Sequence, residues 1–253
     1  MSIRCLTLAA MTLLMSATAL IAQTPARPDL SGIWTRTGAA ANENFGKGTP
    51  PLQPAAKAIY DENRVGTPPG TDEGHDQVDP TIYCLPLGMP RALSSNNPFE
   101  IVQAAKVVYM LFEAGQMQRR IYLDGRKLPE NYPNSFMGFS TGKYDGDALV
   151  VETAGLDGST WLDRGAIPHT DALRVTERFR RAAPDTLEIS FRFDDPKTFA
   201  KPWEAKKTYT LKPDWEILEN IGYCEDRYQY NFGRKAFKGT VRWQSPEQAA
   251  GGR

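Results

Sequence analysis

Histidine and cysteine are scarce in this chain, with two and three among 253 residues. Neither charge sign is in excess, at 30 basic against 30 acidic residues. Nucleic-acid and anionic-membrane partners favour a basic surplus, so this balance argues against both. Motifs of cofactor chemistry are missing: there is no phosphate-cradling glycine loop and no dinucleotide fingerprint. The reading therefore invokes no cofactor and no metal, and catalysis of any kind points to proton transfer rather than covalent attack. No internal repeat occurs, and no helical pattern separates the strand-like runs, which leaves a βαβ architecture without support.

Only one sizeable apolar run is present, and it lies at the start. Arg4 supplies a positive charge, Leu6 to Met15 is apolar, and Ala19-Leu20-Ile21-Ala22 offers small residues for cleavage. Residues 1–22 therefore read as a signal peptide, too short for a comfortable membrane span of roughly 20 apolar residues. No second span follows, and no Asn-x-Ser/Thr sequon occurs downstream. The expectation is an exported protein, periplasmic or extracellular. Residues 23–253 then form one domain, with a long insertion over 38–98 and a poorly ordered tail over 233–253. Cys84 and Cys224 remain after cleavage. In an oxidising compartment such a pair is expected to bridge, adding on the order of 4 kcal/mol; the alternative is two buried thiols.

What is abundant is turn chemistry, with 21 glycines and 19 prolines. Strand-like runs cover 29–35, 99–103, 107–113, 117–124, 138–144, 148–153, 173–181, 186–194, 207–211 and 216–223. Asp145-Gly146, Ala183-Pro184-Asp185 and Lys212-Pro213-Asp214 supply hairpin turns. One helix is expected over 53–63, with Pro54 at its start. Leu187, Ile189, Phe191 and Phe193 alternate with Glu188, Ser190, Arg192 and Asp194, one face buried and one wet. About ten strands joined by short turns imply an all-β, mainly antiparallel meander that closes, or nearly closes, into a barrel, because closure hides both edges.

Gly32-x-Trp34 on the first strand resembles the Gly-x-Trp element of lipocalins. That resemblance implies a tryptophan plugging the closed end beneath an arginine of the last strand, for which Arg227 and Arg242 are the candidates. The chain also resembles a set of uncharacterised exported bacterial proteins through Pro28-Asp29-Leu30-Ser31-Gly32-Ile33-Trp34, Cys84-Leu85-Pro86-x-Gly88-Met89-Pro90-Arg91, Arg120-Ile121-Tyr122-Leu123-Asp124-Gly125-Arg126 and Pro168-His169-x-Asp171. Asp195-Pro196-Lys197 and Lys201-Pro202-Trp203 continue the pattern. This second likeness implies no activity.

Chemistry is expected in the loop Thr160 to Asp171. His169 lies in sequence among Asp163, Asp171 and Glu177, and a carboxylate beside a histidine fixes its tautomer and raises its basicity. The competing reading is that His169 and Asp171 only cap a turn. Glu177 shares a strand face with Leu173, Val175 and Phe179, so it must be paired, protonated or open to a cavity; Arg120 is a candidate partner. Arg120, Tyr122, Trp161, Arg91 and Tyr109 are candidate ligand contacts. The acidic stretch Asp72-Glu73-Gly74-His75-Asp76-x-x-Asp79 has hard-ligand residues for a divalent ion, but its spacing matches neither the EF-hand loop nor a His-x-x-x-His zinc site, and a solvated loop is the favoured reading. Three functions compete. One is acid–base chemistry (elimination, hydration or isomerisation) on a small, partly apolar or aromatic molecule, with His169 as base, Asp171 or Asp163 orienting it and Glu177 as second acid. The others are a carrier of a small hydrophobic ligand and an envelope interaction scaffold.

Overall fold

The computed structural model describes residues 27–38, 43–67 and 78–218. Nine strands close into one barrel in sequence order. They are β1 (Gly32–Arg36), β2 (Phe99–Gln103), β3 (Val107–Phe112), β4 (Gln118–Tyr122), β5 (Phe139–Asp145), β6 (Ala148–Ala154), β7 (Arg174–Ala183), β8 (Thr186–Asp194) and β9 (Trp203–Leu211). β9 pairs back onto β1, Trp34 opposite Leu211 and Arg36 opposite Tyr209. The expected all-β, mainly antiparallel barrel is therefore the architecture.

A ring with an odd number of strands cannot alternate direction all the way round. One junction must be parallel, and it lies between β4 and β5, with Ile121 opposite Ser140. Residues 123–138 therefore carry the chain back to the opposite end of the barrel. The β5–β6 hairpin turns on Gly146, whose φ of +59° suits the tight reversal between Asp145 and Ala148. The last expected hairpin differs. β9 begins at Trp203, residues 216–218 lie outside any strand, and 219–223 lie outside the described residues.

The long segment between β1 and β2 carries α1 (Pro54–Asn63), a 3-10 turn (Pro80–Tyr83) and α2 (Arg91–Ser94). Strand directions place this segment at the same mouth as the 155–173 loop, because β1 and β6 end there and β2 and β7 begin there. An antiparallel bridge from Leu52 to Phe199 and a hydrogen bond from Gln53 N to the Thr198 carbonyl (2.8 Å) fasten the insertion to that mouth. At the other end Trp34 is fully buried and donates from Nε1 to the Leu30 carbonyl (3.0 Å). The guanidinium 5.5 Å over its ring comes from Arg181 of β7. Arg227 and Arg242 lie outside the described residues, as do residues 1–26, Cys224 and the 233–253 tail. Cys84 is exposed at the end of the 3-10 turn. Among the described residues no helix is long and apolar enough to cross a membrane.

The lumen is occupied by side chains. Trp34, Phe99, Met110, Phe179, Phe191 and Tyr209 are each less than 2 % exposed. Side chains with so little accessible surface adjoin no void that admits a water molecule. The hollow expected from the meander is filled at these positions, because alternating strands deliver an aromatic or long aliphatic group at most inward sites.

Candidate functional site

Among the described residues two fully buried inward positions carry charge, and they find each other. Glu177 (0 % exposed) faces inward from β7, as its strand phase requires, and its partner is Arg119 of β4 (1 % exposed). Arg119 Nη1 donates to Glu177 Oε1 (2.9 Å) and Nη2 to Oε2. Nε donates to Ser140 Oγ (3.0 Å) and Nη2 to Thr153 Oγ1 (2.7 Å). The group spans β4, β5, β6 and β7 and ties the parallel junction together. Its donors and acceptors satisfy one another, which is the condition for burying two charges. Arg120 is the residue the sequence reading favoured as partner, but it is exposed on the outer face. Arg119 had its own signal: it shares a strand face with the apolar Met117 and Ile121, as Glu177 does with Val175 and Phe179.

The loop 155–173 builds the roof of the mouth. Asp163 is fully buried and accepts from Phe45 N and Gly165 N, both at 2.8 Å. Burial raises its pKa from 3.8 to about 6, against the pull of those two amides and the charges of Arg91 and Lys207. Its carboxylate clamps the insertion to the loop. Arg91 is buried beside it, forked onto Asp79 at 2.8 and 2.5 Å and 5.4 Å over the Trp161 ring. Burial alone would raise Asp79, but the hydrogen bond and charge of Arg91 hold it below its ordinary value.

His169 is buried at 4 % exposure. Its Nδ1 lies 3.3 Å from the Thr170 carbonyl, so Nδ1 donates and Nε2, 3.3 Å from Thr160 Oγ1, accepts. Burial lowers its pKa, outweighing the carbonyl and the charges of Asp195 and Asp157. Asp171 does not orient it. That carboxylate is exposed and pairs with Lys197 at 2.8 Å, which holds its pKa down. The next residue back, Thr170, is held by Asp195, which accepts its N–H (2.7 Å) and, through the same turn, Thr198 Oγ1 (2.8 Å). His169, Asp171, Asp163 and Glu177 thus make their contacts in four separate places.

The expected ligand contacts scatter as well. Tyr122 stacks on Phe139, with centroids 5.3 Å apart, and lies under Arg126. Tyr109 sits on the outer face opposite Arg120. Trp161 is buried in the roof beneath Arg91.

The opening at this mouth is made by other residues. A cleft of about 340 Å³ is lined by Arg36 and Thr37 at the end of β1, Lys206, Lys207 and Thr208 of β9, and the Asn44–Lys47 loop. Lys207 shares the inward phase with Trp203, Ala205, Tyr209 and Leu211, a pattern legible in sequence once β9 is extended back to Trp203. Its ammonium donates to the Asn44 carbonyl and lies 5.8 Å over the Phe45 ring. Partial burial and the like charge of Arg36 lower its pKa from 10.5 to about 8, against the opposing charges of Asp163 and Glu43. Arg36 itself donates to the Ser94 carbonyl (3.4 Å) and to Asn96 Oδ1. A second cleft, about 460 Å³, lies outside the barrel between Ile33, Leu111 and Met117 and the chain at Trp215–Ile217. No protein-family model and no curated protein matches this chain.

Proposed function

We propose that this chain is an exported, lipocalin-like carrier that binds a small molecule in the mouth cleft between β1, β9 and the Asn44–Lys47 loop, rather than in the lumen. The observation that carries the reading is Lys207. It is a partly buried cation on an inward strand position that lines an open cleft, whereas Arg119 and Glu177 are closed off from solvent. A volume of about 340 Å³ falls at the lower end of the range for small-molecule sites. Phe45 adds an apolar residue to the lining, and Thr37, Asn44 and Thr208 add polar ones. A second reading, acid–base turnover in the same cleft, is favoured by one observation: Lys207 near 8 and Asp163 near 6 straddle neutral pH and act electrostatically on each other.

The test is a thermal-shift panel of neutral, cationic and anionic fragments on the wild-type chain and on Lys207→Trp, which places an indole where the Lys207 side chain lines the cleft. A ligand at 100 times its dissociation constant should stabilise the wild type by about 2.7 kcal/mol. The same compound should leave Lys207→Trp unmoved while its circular dichroism stays that of the wild type. Equal shifts in both proteins would place the binding elsewhere. Conversion of a bound compound, lost in Lys207→Met, would select the acid–base reading over the carrier.

A further inference from the structure

The lining of the mouth cleft has a one-sided charge. Arg36, Lys47, Lys206 and Lys207 contribute to it, and among the described residues no carboxylate does. The acidic groups nearby are placed otherwise. Glu188 lies on the outer face and takes Lys206 at 2.7 Å. Asp163 is buried under the Phe45 amide, and Glu43 accepts from Asn96 Nδ2 at 2.7 Å. Arg36 donates to two neutral oxygens, the Ser94 carbonyl and Asn96 Oδ1, and the carboxylate that acts on its charge is Glu43. Three cations from three separate segments, Arg36 of β1, Lys47 of the insertion and Lys207 of β9, therefore converge on one open space. Like charges crowded in a half-dry cleft repel, and a bound anion relieves that repulsion.

We infer that the cleft takes a small oxyanion, a carboxylate or sulfate group, held among Arg36, Lys47 and Lys207. The inference rests on the cleft being the binding site, as proposed above. It carries a proton signature. The charged groups facing Lys207 are Arg36, Lys47, Glu43, Asp163 and its neighbour Lys206. Its pKa near 8 means that the ammonium is largely present at pH 7 and lost above pH 8. An anion prefers the ammonium, so its affinity falls as pH rises through about 8, and binding at pH 8 to 9 takes up a proton.

Benzoate and sulfate are suitable probes because neither titrates between pH 6.5 and 9.5, and benzamide is the neutral control. Calorimetric titration of the full chain should give Kd values that are flat below pH 7.5. Above pH 8 they should weaken by up to about tenfold per unit, the limit for one linked proton. Lys207→Arg keeps the charge and should bind with no such slope; Lys207→Met should lose about tenfold or more at pH 7. Benzamide binding as tightly as benzoate, a flat wild-type profile, or unchanged anion affinity in Lys207→Met would each overturn the inference. Binding of benzamide and other neutral fragments in the cleft without preference for anions would leave the carrier reading standing and remove this one. If nothing in either panel binds, both fall.

Discussion

Replacing Arg119 by Met removes a guanidinium from a site that water does not reach. Glu177 then keeps its charge with only the Thr153 hydroxyl, 3.5 Å away, as a side-chain partner, and Ser140 loses its Nε donor. Stranding one member of a buried ion pair costs about 3–5 kcal/mol, a large fraction of the roughly 5–15 kcal/mol that holds a domain together. For a domain of this size each kcal/mol moves the melting temperature by about 2–4 °C, so Arg119→Met should melt roughly 6–20 °C lower. Glu177→Leu leaves the opposite charge buried and should cost a similar amount. The double variant Arg119→Met/Glu177→Leu has no charge left to strand and fills the volume with hydrocarbon. It should recover to within about 2 kcal/mol of the wild type, on either side. Urea unfolding of all four proteins closes the cycle, with a coupling of about 3 kcal/mol or more. If the single losses simply add in the double variant, the pair is not an isolated buried unit and the reasoning fails. A loss below about 1 kcal/mol for Arg119→Met would mean that water reaches the site.

Asp163 titrates at about 6 in the folded chain against 3.8 in the unfolded one, so the folded state holds its proton more tightly. That contribution is complete below pH 3.8 and is lost as pH rises through 6, about 3 kcal/mol in all. Asp163→Asn should lack this decline when urea midpoints are followed from pH 4 to 7, and a parallel decline in the variant would refute the assignment. For His169 the sign is opposite, since its folded pKa is depressed. The stability it contributes is present above the unfolded value of 6.5 and is lost as pH falls through the lower folded value. Its ring protons should titrate below pH 6.5 by NMR, and His169→Gln should remove that part of the acid sensitivity. Gly138→Ala should cost roughly 1–3 kcal/mol in thermal unfolding, because φ is +61° and the added methyl would lie 2.8 Å from the Ala154 carbonyl oxygen. A neutral outcome there would mean that the start of β5 is free to shift.

The alternation of apolar and polar residues along β7 and β8 was enough to read a half-buried meander, its closure and the inward position of Glu177. These are short-range properties: side chains alternate every residue, turns take Gly, Pro and Asp, and edges must be hidden. Direction and partnership needed the tertiary structure. The parallel β4–β5 junction follows from the count of strands around the ring, which no local pattern contains. The partner of Glu177 lies 58 residues away in sequence, and a single-strand reading that took Arg120 rather than Arg119 missed it by one register step. That step sends a side chain to the opposite face. His169 and Asp171 sit two residues apart in a loop, where no period constrains direction, and the chain turned one inward and the other out. The mouth cleft was least legible of all. Its walls come from β1, β9 and an insertion loop, and only closure of the barrel, with β9 running past the end of β1, brings Arg36, Lys47 and Lys207 to one opening. Sequence by itself determined which faces would be wet and which dry; the ring decided which charges would meet.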